Sequence, residues 1–354
     1  MADPPPITGV PTGAVAFLGV TERGPTSPQL VTNLADFAHL FGAAPAPDAY
    51  LAAAVTGFFE NGGNECFVVR VADSGTVADF KAALTVLETD DFRRATIVHA
   101  PYAGPDNDAI EQAVVDHCSR MPFRFAVLDG PPEANPAGAY RPDIDSPNAA
   151  LYWPWLVVPD PGTGGTRVVP PGGHVCGIYT RVDTARGIHK APANEAIQGV
   201  VDVSTHISTA GNEILTTNGI NAIRRFEGRG ILVWGARTLS SDREWRYVSV
   251  RRLCLYLEAS ITDGLRWVVF EPNEASLWAT IRAVVSDFLI RQWRAGTLQG
   301  TKPEQAFFVA CGPETMTQDD IASGRLVCEF GVAPVRPAEF VIFRIVQSTF
   351  RDPP

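Results

Sequence analysis

The sequence predicts an α/β fold with mixed sheets flanked by helices, and three observations support that prediction. Helix-like and strand-like segments alternate between residues 14 and 129. The strand-like segments in this range are continuously apolar, which is typical of strands covered on both faces of a parallel or mixed sheet. The chain has 354 residues, of which 45% are hydrophobic, so it can bury a large core and fits two or three domains.

The first half of the chain is predicted to alternate strands with helices behind an extended arm. Residues 1–13 carry Pro4, Pro5, Pro6 and Pro11, and proline fixes φ and removes amide donors. This stretch is therefore expected to form an extended N-terminal arm. Strands are expected at 14–20, 66–71, 95–99 and 124–129, and helices at 33–41, 48–61, 77–88 and 106–120.

Glycine and proline then become frequent, and a second section follows. Residues 130–175 are predicted to be long loops around one strand at 149–158. We expect an N-terminal α/β domain at 14–185 and a C-terminal domain at 186–354. Within the latter part of the chain, helices are expected at 181–187, 243–262 and 275–294, and strands at 221–226, 230–235, 265–270 and 305–311.

The end of the chain shows period-two alternation in 325–332 and again in 339–346, which is typical of half-buried strands. Pro334 and Pro337 lie in the link and suit an edge or a break, because they cannot donate to a ladder. A strand pair at a chain end is free to pair with another subunit. The predicted strand-exchange residues are Leu326, Cys328, Phe330, Val332, Phe340, Ile342, Arg344 and Val346.

Arginines concentrate around the predicted helix at 243–262, although the net charge of the chain is −10. One interpretation is a solvated helix face paired with local acids such as Asp242, Glu244 and Glu258. The other is a patch that contacts acidic surface on a like copy, with the helix at 275–294 as a rival location. The candidate contact residues are Arg243, Arg246, Arg251, Arg252, Arg282 and Arg291.

No motif in the sequence indicates catalysis. There is no phosphate-binding P-loop, no H-E-x-x-H and no G-x-S-x-G. Asp116, His117 and Cys118 are consecutive, and successive helix residues do not face one another. We therefore interpret them as a buried Cys118 beside surface Asp116 and His117. The prediction is a protein that is not an enzyme and needs neither a cofactor nor a metal.

Composition excludes other classes. With a net charge of −10 and a pI near 5.1, the chain lacks the basic surface that a non-specific nucleic-acid binder needs. The longest apolar run, 149–158, is too short to span a membrane, and the N-terminus has no secretory pattern. The six cysteines form no C-x-x-C pair, so we expect reduced, buried thiols rather than disulfides or a zinc site.

Long ordered blocks of the sequence follow a recognisable pattern, among them PITGVPTGAVAFLGVTERGP at 6–25 and KAPANEAIQGVV at 190–201. These blocks resemble the start of the core domain and a block of the second half, respectively, of contractile tail sheath proteins of phages and phage-like injection systems. Residues 100–180 are the least similar part. Further blocks are 31–42, 54–71, 219–253, 266–281, 298–309 and 315–345.

The resemblance implies a mechanical protein. Family members stack as hexameric rings around an inner tube, and a triggered sleeve shortens to drive the tube through a target envelope. The implied partners are like copies, the inner tube protein, and baseplate and terminal cap proteins, with no nucleic acid and no membrane insertion. Assembly is implied in the bacterial cytoplasm, as part of a phage tail or of a phage-like particle that can be released.

One departure concerns the N-terminus. Sheaths often carry a Pro-Gly-Val-Tyr-Val-Glu-Glu-like strand before the block matched by 6–25, and this chain has only MADPP there. The arm at 1–13 is therefore expected to be short, with N-terminal strand donation left open. Two alternatives to the contractile sheath are a non-contracting baseplate or collar paralogue of the same fold and an α/β hydrolase-like enzyme.

Overall fold

Strands and helices alternate along a computed structural model that describes residues 4–42, 49–72, 75–133 and 143–339. The strands are β1 (Ala14–Gly19), β2 (Gln29–Val31), β3 (Cys66–Arg70), β4 (Ala95–His99), β5 (Phe125–Asp129), β6 (Ala149–Trp153), β7 (Leu156–Asp160), β8 (Gly165–Val169), β9 (Glu195–Ala196), β10 (Asp202–Val203), β11 (Ile220–Phe226), β12 (Gly230–Val233), β13 (Phe307–Ala310) and β14 (Glu329–Val332). The helices are α1 (Leu34–Phe41), α2 (Leu51–Glu60), α3 (Val77–Val86), α4 (Asn107–Arg120), α5 (Gly172–Arg186), α6 (Thr209–Thr217), α7 (Val248–Gly264), α8 (Ala275–Arg294), α9 (Pro303–Ala306) and α10 (Gln318–Ala322).

The predicted mixed α/β class is confirmed by a nine-stranded sheet with the order β2-β3-β1-β4-β5-β6-β11-β12-β9. The strands from β3 to β11 in this order run parallel, and β2 and β12 run antiparallel to them. The edge strand β9 pairs antiparallel with β12. Every residue of β1, β5 and β6 is buried, as their continuously apolar sequences predict. Because β9, β11 and β12 follow residue 185, the sheet continues across the expected domain boundary.

Two apolar layers cover the sheet, because successive strand residues point to opposite faces. Val15 and Phe17 of β1 belong to a core with α1, α2 and α5. Ala16 and Leu18 belong to the opposite core with α3, α4 and α6. We call residues 14–239 the body, and its described part holds both of these cores apart from Val248 and Leu255 of α7, which complete the first.

The packing of α2 on α5 depends on small residues. A Cβ at Gly173 would lie 2.3 Å from Cα of Ala54, and one at Gly177 would lie 2.4 Å from the carbonyl oxygen of Phe58, so only glycine allows this approach. The predicted helix at 181–187 is wrong in extent, because α5 begins at Gly172. A run of buried residues starting with two glycines lacks the amphipathic period that indicates a helix.

The prediction of long loops around one strand at 130–175 is also wrong. The apolar run at 149–158 divides at Pro154 into β6, in the large sheet, and β7. Strand β7 pairs with β8 and β10 in a separate three-stranded sheet. A proline lacks the N–H that would continue one strand.

The remaining described residues, 240–339, form what we call the C-terminal module. Helices α7 and α8 pack around a third core that includes Leu257, Ile281 and Phe288. The strand expected at 265–270 is wrong: the chain forms a short 3-10 helix at Arg266–Val268 and turns into α8. Strands β13 and β14 form a two-stranded antiparallel sheet beside these helices.

The N-terminal segment forms neither helix nor strand over residues 4–13, and it lies on the C-terminal module of its own chain. The side chain of Ile7 is buried in the third core, and the Arg291 guanidinium donates to its carbonyl oxygen at 2.8 Å. The amide of Val10 donates to Ser260 Oγ at 3.1 Å. These contacts tie the segment that follows residue 4 to the module.

Candidate intersubunit interface

The site built by the end of the described chain is a small, open sheet. Phe307 pairs with Val332, and Ala310 pairs with Glu329 at the other end of the ladder. Among the described residues, each of the two strands has the other as its one strand partner. Both outer edges therefore lack a strand neighbour in this part of the chain, and strand edges present unpaired backbone groups.

The structure places only some of the predicted strand-exchange residues in a strand. Phe330 and Val332 lie on β14, whereas Leu326 and Cys328 precede it, so the strand expected at 325–332 begins late, at Glu329. An ion pair between Arg325 and Asp320 at 3.0 Å and the turn after α10 hold the preceding segment near that helix. Phe340, Ile342, Arg344 and Val346 lie outside the described residues.

This sheet is incompletely buried, unlike the central strands of the nine-stranded sheet, and it shares this property with β8 of the three-stranded sheet. No residue of β14 is fully buried, and the side chain of Phe308 on β13 is 60% exposed. Both strands nonetheless lie against the third core through Phe307, Val309, Phe330 and Val332. One face of the sheet thus packs on its own chain while apolar side chains elsewhere on it remain open to solvent.

A groove of about 870 Å³ adjoins the sheet. Its lining combines apolar side chains with three acids and one base. It is lined by Trp245, Val250, Cys254, Phe308, Cys328, Phe330, Val332, Ala333, Pro334, Gln299, Glu244, Glu258, Glu329 and Arg336. Such a lining suits an apolar segment that carries positive charge.

Beyond β14 the chain is held by backbone bonds and then by one ion pair. The Val335 amide donates to the Thr297 carbonyl at 3.1 Å. Arg237 then holds Glu339 through two hydrogen bonds, from Nε at 2.6 Å and from Nη2 at 2.7 Å. The Tyr247 hydroxyl donates to the same carboxylate at 3.2 Å. This cluster, which we call the arm root, fixes the chain where residues 340–354 begin.

Sequence reasoning missed the arm root. Arg237 lies before the candidate contact arginines in the sequence, and Glu339 is the first residue of the predicted last strand, but 102 positions separate the two. The only sequence signal is an acid directly before an apolar alternating segment.

Arg252 is wrong as a surface contact. It is 4% exposed and donates to both carboxylate oxygens of Asp183, at 2.9 and 2.7 Å. Its guanidinium also lies 4.8 Å from the centre of the Tyr179 ring. Burial lowers the pKa of Arg252, but the Asp183 charge and hydrogen bonds raise it above its usual value. This buried pair connects α7 to α5, so the Arg252 guanidinium is not available for contact with another subunit.

The other candidate arginines are divided between internal and outward roles. Arg251 donates to Asn148 Oδ1 at 2.7 Å, Arg282 donates to the carbonyl of Cys311, and Arg291 pairs with Asp287. Arg243 is exposed and Arg246 is half-buried, on and just after a short 3-10 helix at Arg243–Trp245. Arg251 and Arg252 thus bond to Asn148 and Asp183, which are remote in sequence. The interpretation as a helix face paired with local acids does not describe these two arginines.

The environments of the consecutive residues Asp116, His117 and Cys118 do not favour catalysis. Asp116 is exposed as predicted, but His117 is buried because its helix face turns towards buried Arg124. Burial, with Arg124 and Arg120, lowers the pKa of His117 to about 3. Burial raises the pKa of Cys118 to about 12. A nucleophilic cysteine needs the thiolate, and this environment opposes it.

The described ranges contain neither a metal-binding cluster nor a membrane-spanning helix. Within them, no group of three or more His, Cys, Asp or Glu side chains could hold a metal ion. Within the same ranges, no helix has the length and apolar character needed to cross a bilayer.

The described residues combine buried cores on both faces of a large sheet with a small sheet whose edges lack a strand neighbour. The sequence matches the phage tail sheath protein central domain over residues 74–239 and the phage tail sheath C-terminal domain over residues 240–348. The chain belongs to the phage tail sheath family. The two matched domains meet where the body meets the C-terminal module.

Solved structures resemble nearly the whole chain. A chain of the anti-feeding prophage baseplate is 30% identical with a TM-score of 0.85, covering 98% of this chain and 96% of that one. A chain of the extracellular contractile injection system PVC sheath complex in its contracted state is 32% identical with a TM-score of 0.83, covering 97% and 94%.

Curated relatives are longer. A prophage major tail sheath protein of Pseudomonas aeruginosa (strain UCBPP-PA14) is 28% identical over 229 residues, which are 62% of this chain and 57% of the relative. The tail sheath protein of Escherichia phage P2 is 22% identical over 248 residues, covering 68% and 61%. The chain thus spans about three fifths of these relatives.

Proposed function

We propose that the chain is the structural subunit of a contractile sheath, and not an enzyme, that polymerises as stacked hexameric rings around an inner tube. The sheath shortens from an extended, metastable state and drives the tube through a target envelope. Two packings of the same subunits, differing in free energy, supply the work. Family membership and the likeness to a contracted sheath complex support this proposal.

The partners and the location follow from the same role. The subunit contacts like copies and the inner tube protein, with baseplate and cap proteins at the ends. The particle is assembled in the bacterial cytoplasm and acts as a phage tail or as an injection system released from the cell. The likeness to an extracellular injection system favours the released particle.

The open edge of the β13–β14 sheet is the observation that carries the proposal. Residues 340–354, which we call the terminal arm, pair with this sheet in a neighbouring copy by β-augmentation. Backbone hydrogen bonds supply strength, and alternate side chains set the register. Subunits joined in this way keep their connection while their bodies rearrange.

The groove and the terminal arm are chemically complementary. Most of the arm from Phe340 to Val346 is apolar, and the arm carries two bases, Arg344 and Arg351, and one acid, Asp352. The groove offers Phe330 and Val332 beside Glu258, Glu244 and Glu329. A neighbour's arm therefore finds apolar contacts and opposite charge in one place.

The arm root makes this exchange directional. Arg237 and Tyr247 hold Glu339 to the chain's own body and module, so the arm leaves from a fixed point. The N-terminal segment is held on its own module through Ile7 and Val10. We therefore assign strand donation to the C-terminal end.

Arg243 and Arg246 are our choice for contact with another subunit or the tube, because they lie near the entrance of α7 and are not fully buried. Ion pairs at exposed sites are individually weak, so contacts made by such residues can be broken and remade during contraction. Arg251, Arg282 and Arg291 combine an internal bond with partial exposure and are secondary candidates.

A second candidate is a non-contracting baseplate ring subunit of the same fold. The observation in its favour is the similarity to a chain of the anti-feeding prophage baseplate. A baseplate subunit forms a defined ring that does not extend, whereas a sheath subunit extends into tubes.

Electron microscopy of the purified chain, with and without its inner tube protein, tests the proposal. We expect rings or tubes from the full chain, and loss of both when residues 340–354 are deleted. Deletion of 350–354 alone is the matched control, because it leaves the alternating segment intact and retains assembly. Normal tubes from the longer deletion would contradict strand exchange, and a discrete small particle from the full chain would contradict the sheath role.

A further inference from the structure

Two cysteines face each other across the end of the β13–β14 ladder. The last pair of the ladder is Ala310 with Glu329, so the next antiparallel position opposes Cys311 to Cys328. Their thiols are within hydrogen-bonding contact of each other. All six cysteines of the chain are free, and this pair is aligned by the register of a sheet.

The geometry meets the requirement of a disulfide. Opposed residues of antiparallel strands have Cα atoms about 4.5–5.5 Å apart, within the range of about 4.4–6.8 Å that disulfides use. Their side chains also lie on the same face of the sheet. The bond can therefore form without moving either backbone far.

Access to the pair is provided by the groove. Cys311 is fully buried, whereas Cys328 is half-buried and lines the groove of about 870 Å³. Burial raises the pKa of Cys328 to about 12, with Cys311 adding to the rise. Burial also raises the pKa of Cys311, and the Arg282 charge and the hydrogen bond from Cys328 partly offset it. Both thiols are thus largely protonated near neutral pH, so their oxidation is slow there and becomes faster as the pH rises.

We propose that Cys311 and Cys328 form an intramolecular disulfide that staples β13 to β14 once the protein meets an oxidising environment containing a small disulfide such as oxidised glutathione. The Cys328 thiolate attacks one sulfur of the small disulfide, the S–S bond breaks, and one glutathione thiol leaves. The Cys311 thiolate then attacks Sγ of Cys328 and releases the second. Two protein thiols are oxidised, one small disulfide is reduced to two thiols, and the two cysteine protons pass to the leaving thiolates through solvent.

The consequence concerns the sheet proposed to accept a neighbour's arm. The bond closes the loop between positions 311 and 328 and prevents the two strands from separating, as disulfides restrict opening of the segments they join. Formation of the bond is independent of the proposed sheath function. The role that we give to the bond, which is to hold the acceptor sheet together after the particle leaves the cell, rests on the proposed sheath function.

Peptide mapping of the full chain treated with oxidised glutathione tests the linkage. Trypsin cleaves after Arg325, which lies between the two cysteines, so the disulfide appears as a linked peptide pair and two of the six thiols are lost. Cys328→Ser should abolish the linked pair. Cys254→Ser is the matched control, because Cys254 lines the same groove on α7, and it should leave the linkage intact. Six free thiols, only a mixed disulfide with glutathione, or a link between Cys66 and Cys176 instead would overturn the proposal.

Hydrogen exchange tests the stapling effect separately from assembly. We expect the β13–β14 amides to exchange about tenfold more slowly in the oxidised chain than in the reduced chain, with no change in the Cys328→Ser variant. Linkage with unchanged exchange would refute the staple. Microscopy of tubes is scored independently, so failure of the sheath proposal is distinguishable from failure of the disulfide.

Discussion

The body and the C-terminal module use strands in opposite ways. In β1, β5 and β6 every residue is buried, because helices of the same chain cover both faces of the nine-stranded sheet. In β14 no residue is fully buried, and Phe308 on its partner strand is 60% exposed. The strands β1, β5 and β6 are thus covered by their own chain, whereas the sheet of the module keeps open edges and is the one that we propose a neighbouring copy completes.

The largest effect on stability is expected in the body. Phe17 is wholly buried between β1 and α2, with its ring 5.4 Å from that of Phe58. Phe17→Ala should lower the free energy of unfolding by about 3–5 kcal/mol, because it removes buried apolar surface and leaves a cavity. Urea denaturation followed by circular dichroism measures the change. A loss below about 1 kcal/mol would contradict a closed core at this position.

A pH effect of intermediate size is expected at the α2–α5 contact. Burial lowers the pKa of His174 to about 4, below the unfolded value near 6.5. The folded state therefore keeps His174 neutral. The part of the free energy of unfolding that depends on neutral His174 is fully present above the unfolded pKa and is lost as the pH falls towards 4. The free energy of unfolding should fall by up to about 1.4 kcal/mol per pH unit from this group in that window.

The matched variant for this test is His174→Gln, which cannot titrate. Its stability should decline less steeply between pH 6.5 and 4 than that of the parent, although His117 contributes acid sensitivity in both chains, since its pKa is also lowered. Identical slopes in the two proteins would rule out His174 as an acid-sensitive group.

The smallest effect on stability is expected in the module. Phe308→Ser replaces an exposed ring of the groove, so the free energy of unfolding should change by less than about 1 kcal/mol. Tube formation should nevertheless weaken, seen as a higher protein concentration needed for polymerisation in light scattering. A strong destabilisation with unaltered assembly would reverse the contrast between the two regions.

Much of the body could be predicted because its local signals agree with its fold. The buried runs at β1 and β3 are bounded by turn residues, and Asn33 caps α1 by accepting from the Asp36 amide. Such signals depend on neighbours in sequence. They failed at α5, where all-round burial hides the helical period, and at 265–270, where an apolar segment forms a turn with Phe270 fully exposed at a positive φ of 73°.

The candidate site was predictable only in part. Alternation located Phe330 and Val332 on a half-buried strand, but its partner β13 and the groove depend on long-range pairing that periodicity does not contain. The concentration of arginines likewise suggested a contact surface, but Arg252 is buried and paired with Asp183. A charge can be assigned to the surface or the interior only once its partner is known.

Binding of a synthetic terminal-arm peptide to the arm-deleted chain tests whether the arm pairs with the β13–β14 sheet of another copy. The chain lacking 340–354 is mixed with a peptide of residues 340–354, and hydrogen exchange is measured residue by residue. We expect saturable binding with protection confined to β13, β14 and the groove around Phe330. The same peptide carrying Ile342→Pro, which removes a ladder donor, should not bind. Absence of binding, or protection elsewhere on the chain, would contradict it.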